Sequence, residues 1–68
     1  MDLYELRPGD RVRTMDGAIV EVLSETEDGQ WIRVRYLEGT EDPELLGTED
    51  LCHESELDSM VTPRPTAR

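Results

Sequence analysis

Alternation of hydrophobic and polar residues predicts a chain made of short β-strands. Residues 31–36 give the clearest pattern, because every second side chain is aliphatic or aromatic and the intervening ones include two arginines. Residues 11–14 form a short alternating run, and residues 18–23 are rich in β-branched side chains. Residues 44–46 predict a short fourth strand, and residues 47–51 a turn that leads into a last strand or a 3₁₀ turn.

Turn residues separate these runs. Pro8 and Gly9 stand at the two central positions of a predicted type II turn, because proline presets φ and glycine accepts a positive φ. Asp16 and Gly17 predict a two-residue type I′ hairpin, since both tolerate the left-handed conformation. Residues 27–29 mark a further turn before the clearest strand.

Short strands joined by tight hairpins predict an all-β fold, a small five-stranded antiparallel barrel. One domain is expected over residues 1–58, with a short 3₁₀ or helical turn near residues 48–58. Residues 62–68 contain Pro63 and Pro65 and nothing to bury, which predicts a disordered or extended end, and the disordered tail is assigned to residues 59–68.

Strand alternation also assigns the two faces of the sheet. Ile32, Val34 and Tyr36 are predicted to face the core and their neighbours the solvent, because burying unpaired arginines would cost several kcal/mol each. The predicted core consists of Leu6, Val12, Val20, Val22, Ile32, Val34, Tyr36, Leu46 and Leu51.

Two stretches carry a resemblance to a known group of folds. Residues 6–13, with a Pro-Gly-Asp turn, and residues 16–22 after them resemble the opening hairpin of SH3-like barrels. That group includes Tudor and KOW-type domains and small barrels of bacterial transcription and repair proteins. Residues 31–40 are similar to the tryptophan-led strand of Tudor-like modules, and residues 47–51 resemble their exit. The resemblance covers residues 6–51 and implies the fold.

The functions of those families transfer poorly to this chain. Tudor domains hold methylated side chains in a cage of several aromatic rings, whereas Trp31 and Tyr36 are predicted on opposite faces of one strand. KOW-type domains commonly present a basic face, and this chain is strongly acidic. The resemblance therefore implies a fold and leaves the ligand open.

Charge is distributed unevenly along the chain, which has 17 acidic and 7 basic residues and a net charge of −10. Residues 41–58 contain eight acids and no arginine, whereas residues 59–68 contain two arginines and no acid. A chain with this charge repels phosphate backbones, so nucleic-acid binding is disfavoured.

No set of residues typical of catalysis is present. Cys52 and His53 are the single cysteine and the single histidine, and they precede Glu54. Adjacent residues of an extended chain point to opposite faces, so Cys52 and His53 are not expected to bind one metal or to form a nucleophile–base pair. We predict a protein that is not an enzyme and has no cofactor or metal.

The compartment predicted from the sequence is the cytoplasm. The first residues are acidic where a secretory signal would be basic, and no apolar run has the length needed to cross a membrane. One cysteine also excludes an intramolecular disulfide, which is consistent with a reducing environment.

The outward face of the third strand is the first candidate binding surface. Trp31, Arg33 and Arg35 lie there, and Arg11 and Arg13 are predicted on a neighbouring strand. Tryptophan and arginine are enriched among residues that dominate binding energy at protein interfaces. This surface is predicted to contact a protein partner.

A structural alternative exists for the same residues, in which the arginines pair across strands with Glu21 and Glu25 while Trp31 packs over their stems. Residues 41–58 are the second candidate surface, either an attractor of basic partners or a solvated loop region.

Three functions follow from these surfaces. The first is a non-enzymatic binding module for a protein partner. The second is an acidic decoy that occupies the nucleic-acid site of a basic protein. The third, opposed by the net charge, is an RNA- or DNA-binding barrel that uses the arginine-bearing strand. Salt dependence separates them, because decoy and nucleic-acid binding weaken steeply with salt.

Overall fold

One antiparallel sheet of five strands dominates the computed structural model, which describes residues 1–62. The strands are β1 (Arg11–Thr14), β2 (Ile19–Val22), β3 (Trp31–Glu38), β4 (Glu49–His53) and β5 (Leu57–Thr62). The helical segments among the described residues are three 3₁₀ turns, η1 (Leu3–Glu5), η2 (Pro43–Leu45) and η3 (Glu54–Glu56). The predicted all-β class is confirmed, and η3 lies within the range predicted for a 3₁₀ turn.

The strand order is β4-β3-β2-β1-β5. Neighbouring strands β1 to β4 follow one another in sequence, and β5 returns to pair with β1. This order is compatible with the predicted SH3-like barrel. The sheet is not closed, however, because β4 and β5 remain its two edges.

The turn before β1 has the predicted conformation. Gly9 has a φ of 96°, and the N–H of Asp10 donates a hydrogen bond of 3.0 Å to the carbonyl of Arg7. The Asp10 carboxylate in turn accepts a hydrogen bond of 2.9 Å from the N–H of Arg7. These contacts tie the chain that leaves η1 to the start of β1.

The hairpin between β1 and β2 differs from the predicted type I′ turn. Thr14 and Ala18 are joined by a backbone hydrogen bond of 2.8 Å, so the loop has three residues, and the N–H of Gly17 donates to the carbonyl of Thr14 at 3.0 Å. Gly17 has a φ of 95°, and no non-glycine residue within 1–62 has a positive φ. The two-residue prediction is wrong because Asp16 keeps an ordinary backbone conformation.

Gly39, directly after β3, is required by close packing. A Cβ atom at this position would lie 2.7 Å from the carbonyl oxygen of Gly17, and its φ is +77°. The end of β3 therefore lies against the β1–β2 hairpin, next to the pair that Glu38 forms with Ile19 of β2.

The core is aliphatic and lies on one face of the sheet. Six predicted core residues are buried, namely Leu6, Val12, Val20, Val22, Ile32 and Val34, and Tyr36 packs against them half-buried. Leu3, Ala18, Cys52 and Leu57 are also buried and were not in the predicted core.

Two of the nine predicted core residues are exposed. Leu46 is 46% exposed because the predicted fourth strand is instead η2, which Pro43 begins and the Asp42 side chain caps through the N–H of Glu44. Leu51 is 49% exposed because β4 pairs with β3 in a register that turns Cys52 toward the core.

The predicted boundary between domain and tail, at residue 58, falls within β5. Residues 59–62 belong to β5, where Met60 is paired with Val12 and Ser59 with Arg13. Pairing with β1 therefore extends the sheet beyond residue 58. The rest of the predicted disordered tail, residues 63–68, lies outside the described residues.

Candidate functional site

Trp31, Arg33 and Arg35 share the outer face of β3, as predicted. They alternate with Ile32 and Val34, which are buried. This part of the candidate surface therefore depends only on strand alternation.

Strand register places one of the other predicted arginines on the same row as Arg35. Arg11 of β1 is opposite Glu21 of β2, Glu21 is opposite Arg35, and Arg35 is opposite Glu49 of β4. We call these four residues the charge row. Its charges alternate in sign across four strands, so each arginine has an acidic residue beside it.

Glu49 binds both arginines of β3. Its Oε2 lies 3.1 Å from Arg35 Nη2 in a hydrogen-bonded ion pair, and its Oε1 lies 3.9 Å from Arg33 Nη1. All three side chains are about half exposed, so each pair contributes about 0–1 kcal/mol to stability. Their larger effect is on the surface charge, because Glu49 compensates the positive charge of Arg33 and Arg35 in the patch predicted from the sequence.

The arginines therefore pair, but with a different partner from the predicted ones. Glu25 instead forms an ion pair of 3.7 Å with Arg7, and Glu21 is only in register with its arginines. Arg13 is opposite Ile19 and Ser59 and forms no ion pair within residues 1–62.

Trp31 is held at the start of β3 by the loop that precedes it. Asp28 Oδ1 accepts hydrogen bonds from the N–H groups of Gln30 at 2.9 Å and Trp31 at 3.1 Å. Thr26 Oγ1 donates to the carbonyl of Trp31 at 2.8 Å and accepts from the N–H of Gly29 at 3.0 Å. The backbone of Trp31 is thus fixed by two side chains.

The same hydrogen bonds affect the acidity of Asp28. The N–H of Gln30, and then that of Trp31, hold the pKa of the Asp28 carboxyl below its ordinary value of 3.8, because both stabilise the ionised form. Asp28 is therefore negatively charged at neutral pH and stays so into moderately acidic solution.

The indole of Trp31 is oriented from the other side by β4. Its ring meets the imidazole of His53 edge to face, with centroids 4.9 Å apart and planes at 76°. His53 is itself fixed, because it caps η3: its Nδ1 accepts a hydrogen bond of 3.2 Å from the N–H of Ser55. Trp31 remains 44% exposed, so an aromatic ring that contacts His53 on one side is still accessible to solvent.

Trp31 borders an open groove of about 370 Å³ between the β2–β3 loop and β4. Its lining includes Glu25, Glu27, Asp28, Trp31, Arg33 and Leu51. We call it the Trp31 groove. Trp31 and Leu51 supply apolar surface, and the loop supplies three carboxylates. Leu51 belongs to this site although the sequence pattern assigned it to the core.

The acidic residues 41–58 do not form one free surface. Asp42 caps η2, and Glu49 belongs to the charge row. Asp50 Oδ1 accepts from the N–H of Leu51 at 2.7 Å, and Glu56 Oε2 accepts from the N–H of His53 at 2.8 Å. Ladder bonds alternate along β4, so these two N–H groups point away from β3 at the open edge of the sheet.

Cys52 and His53 do not combine into a reactive pair. Cys52 is only 2% exposed and faces the core, whereas His53 contacts Trp31 on the outer face. Burial, with a smaller effect of the nearby carboxylates of Glu56 and Asp50, raises the pKa of the Cys52 thiol to about 11. The thiol is therefore protonated at neutral pH and is a weak nucleophile.

Within residues 1–62, no three histidine, cysteine, aspartate or glutamate side chains converge on a possible metal position. The same part of the chain contains no helix of sufficient length and apolar character to span a membrane. Comparison of the chain with known protein families, with curated proteins and with solved structures found no match.

Proposed function

We propose that this protein is a non-enzymatic binding module whose Trp31 groove receives an exposed segment of a protein partner. The observation that supports the proposal is the exposure of Trp31 (44%) and Leu51 (49%) on neighbouring strands beside one groove. A tryptophan held in one orientation loses little conformational entropy on binding, and tryptophan is enriched among interface hot spots.

Compensation of the arginines argues against nucleic acid as the ligand. Arg33 and Arg35 share Glu49, and the chain carries a net charge of −10. Phosphate contacts need basic groups that are free to neutralise the backbone. A role as an acidic decoy is also less well supported, because Asp42, Glu49, Asp50 and Glu56 already bind groups of this chain.

The finer likeness to Tudor or KOW-type domains stays a prediction. A Tudor-type cage would need several aromatic rings around one cation. Tyr36 is half-buried against the core, whereas Trp31 lies on the outer face. The proposed binding mode therefore uses one ring and does not depend on membership of either family.

The test uses matched variants of exposed residues. Trp31→Ala and Leu51→Ala remove the two apolar sides of the groove. Leu46→Ala is the control, because Leu46 is 46% exposed, like Leu51, but adjoins Gly47, which bonds to Tyr36 toward the far end of β3. The immobilised protein is used to capture partners from an extract of the source organism, and the captured partner is identified and purified. Circular dichroism verifies that each variant is folded. The affinity of each variant for the purified partner is then measured by calorimetry.

We expect both groove variants to bind the purified partner at least about tenfold more weakly, whereas the Leu46 variant stays within about twofold. A folded Trp31→Ala variant with unchanged affinity would refute the proposed site. Affinity that falls steeply with salt, equally in all variants, would indicate the acidic decoy instead.

A further inference from the structure

The Trp31 groove has an acidic rim that its own basic residue does not neutralise. Glu25, Glu27 and Asp28 line it from one loop, and Arg33 is the basic side chain in the lining formed by residues 1–62. The Arg33 guanidinium lies 3.9 Å from Glu49, which is outside that lining. The groove therefore has more negative than positive charge.

Two of the three carboxylates have oxygens available to a ligand. Glu27 forms no hydrogen bond or ion pair within residues 1–62. Asp28 uses Oδ1 for the N–H groups of Gln30 and Trp31, so its Oδ2 takes part in neither of these bonds. Glu25 is the exception, because it pairs with Arg7 at 3.7 Å.

The apolar surface beside these carboxylates suits a long cationic side chain. The Trp31 side chain is 44% exposed, and the π surface of an indole attracts a cation within about 6 Å of the ring centroid. Leu51 can cover the methylene stem of the same side chain. A guanidinium fits better than an ammonium, because it is planar, stacks on an indole and binds carboxylates through two N–H groups.

We propose that the occupant of the Trp31 groove is an arginine side chain from an extended segment of the protein partner, with its guanidinium between the Trp31 ring and the carboxylates of Glu27 and Asp28. This inference rests on the proposed function and adds the chemistry of the ligand. Two observations support the inference: the negative charge of the groove is complementary to a guanidinium, and Trp31 supplies an aromatic surface beside it.

The test needs no natural partner. N-acetyl-arginine methylamide is titrated into the full chain labelled with ¹⁵N, and the Trp31 indole N–H signal is followed by NMR. Because this is the single tryptophan, the signal has one origin. N-acetyl-citrulline methylamide is the matched probe, since it has the same shape without the charge. For a ligand of this size we expect a Kd on the order of 1–10 mM for the arginine probe.

The citrulline probe should bind at least about fivefold more weakly. Glu27→Gln and Asp28→Asn should each weaken the arginine probe about threefold, because both variants keep side-chain shape and lose charge. Glu38→Gln is the control: Glu38 is exposed and opposite Ile19, at the other end of β3.

Equal affinity for arginine and citrulline, or no shift of the indole signal, would overturn the inference. So would equal effects of Glu38→Gln and Glu27→Gln, which would indicate attraction by net charge alone. These failures are distinct from failure of the proposed function. A partner that needs Trp31 but tolerates glutamine in place of its arginines would leave the module intact and exclude the arginine.

Discussion

The charge row and the Trp31 groove occupy two ends of the same sheet face but balance charge in opposite ways. In the charge row, strand register places Glu21 beside both Arg11 and Arg35, and Glu49 beside Arg35. At the groove, the acids come from a loop, and Arg33, the arginine in the lining formed by residues 1–62, lies 3.9 Å from Glu49. Net charge per segment therefore says little about a sheet surface; the register decides which charges remain uncompensated.

Local opening of β4 would have the largest measurable effect, because this strand contributes to both the charge row and the Trp31 groove. β4 carries Glu49 of the charge row and Leu51 of the groove, with Cys52 facing inward between them and its thiol pKa raised to about 11. We expect iodoacetamide to alkylate Cys52 at about pH 8 more than about 100-fold more slowly than in concentrated urea.

The Trp31→Ala variant is the control for that measurement and should be labelled as slowly as the original chain. Rapid labelling of either folded protein would show that β4 opens locally. The row and the groove would then not be two ends of one rigid strand.

Reversal of the charge at position 49 gives a smaller effect and acts on the charge row alone. Glu49→Arg removes two half-exposed ion pairs and sets a third guanidinium beside Arg33 and Arg35. We expect the free energy of unfolding in urea to fall by about 1–2 kcal/mol. Glu38→Arg makes the same change in net charge away from the row and should cost less. Equal losses would mean that total charge, rather than the row, sets stability.

Acid titration of Asp28 should have the smallest effect, and it concerns the loop that forms the Trp31 groove. Its pKa is lowered from 3.8 in the folded chain, so its stabilising effect is present above that value and is lost as the pH falls through the lower, folded-state pKa. Asp28→Asn keeps the Oδ1 acceptor and does not titrate.

The stability difference between the original chain and the Asp28→Asn variant should therefore be constant above about pH 5 and shrink in more acidic solution. Urea unfolding followed by Trp31 fluorescence at several pH values measures it. A difference that stays constant in strong acid would show that the turn does not depend on the charge of Asp28.

Strand alternation predicted β3 correctly because its aliphatic and charged residues leave one possible assignment. In β4, Leu51 and Cys52 are adjacent and both apolar, so alternation allows either to face inward. Pairing with β3 selects Cys52, and a one-residue difference in register reverses every face. Cysteine is among the residue types most often buried, which was the available signal.

The candidate site was predicted only in part, because the groove depends on contacts distant in sequence. Trp31 was found from residue type and alternation. The carboxylates reach it through the Asp28 and Thr26 hydrogen bonds, and Leu51 reaches it through strand pairing. The turn at residues 27–29 was visible in the sequence, but the direction in which its acids face was not. Glu49 likewise could not be predicted as the ion-pair partner of Arg33 and Arg35, because that prediction needs the register between β3 and β4.

The two carboxylates at the open edge of β4 have a consequence for how copies of this chain meet. An unpaired strand edge is a template on which another chain can add and start cross-β growth. Asp50 and Glu56 already occupy the N–H groups of Leu51 and His53, so an incoming strand must first displace two hydrogen bonds and approach negative charge. We therefore expect part of the acidity of residues 41–58 to oppose the pairing of this edge with another copy of the chain.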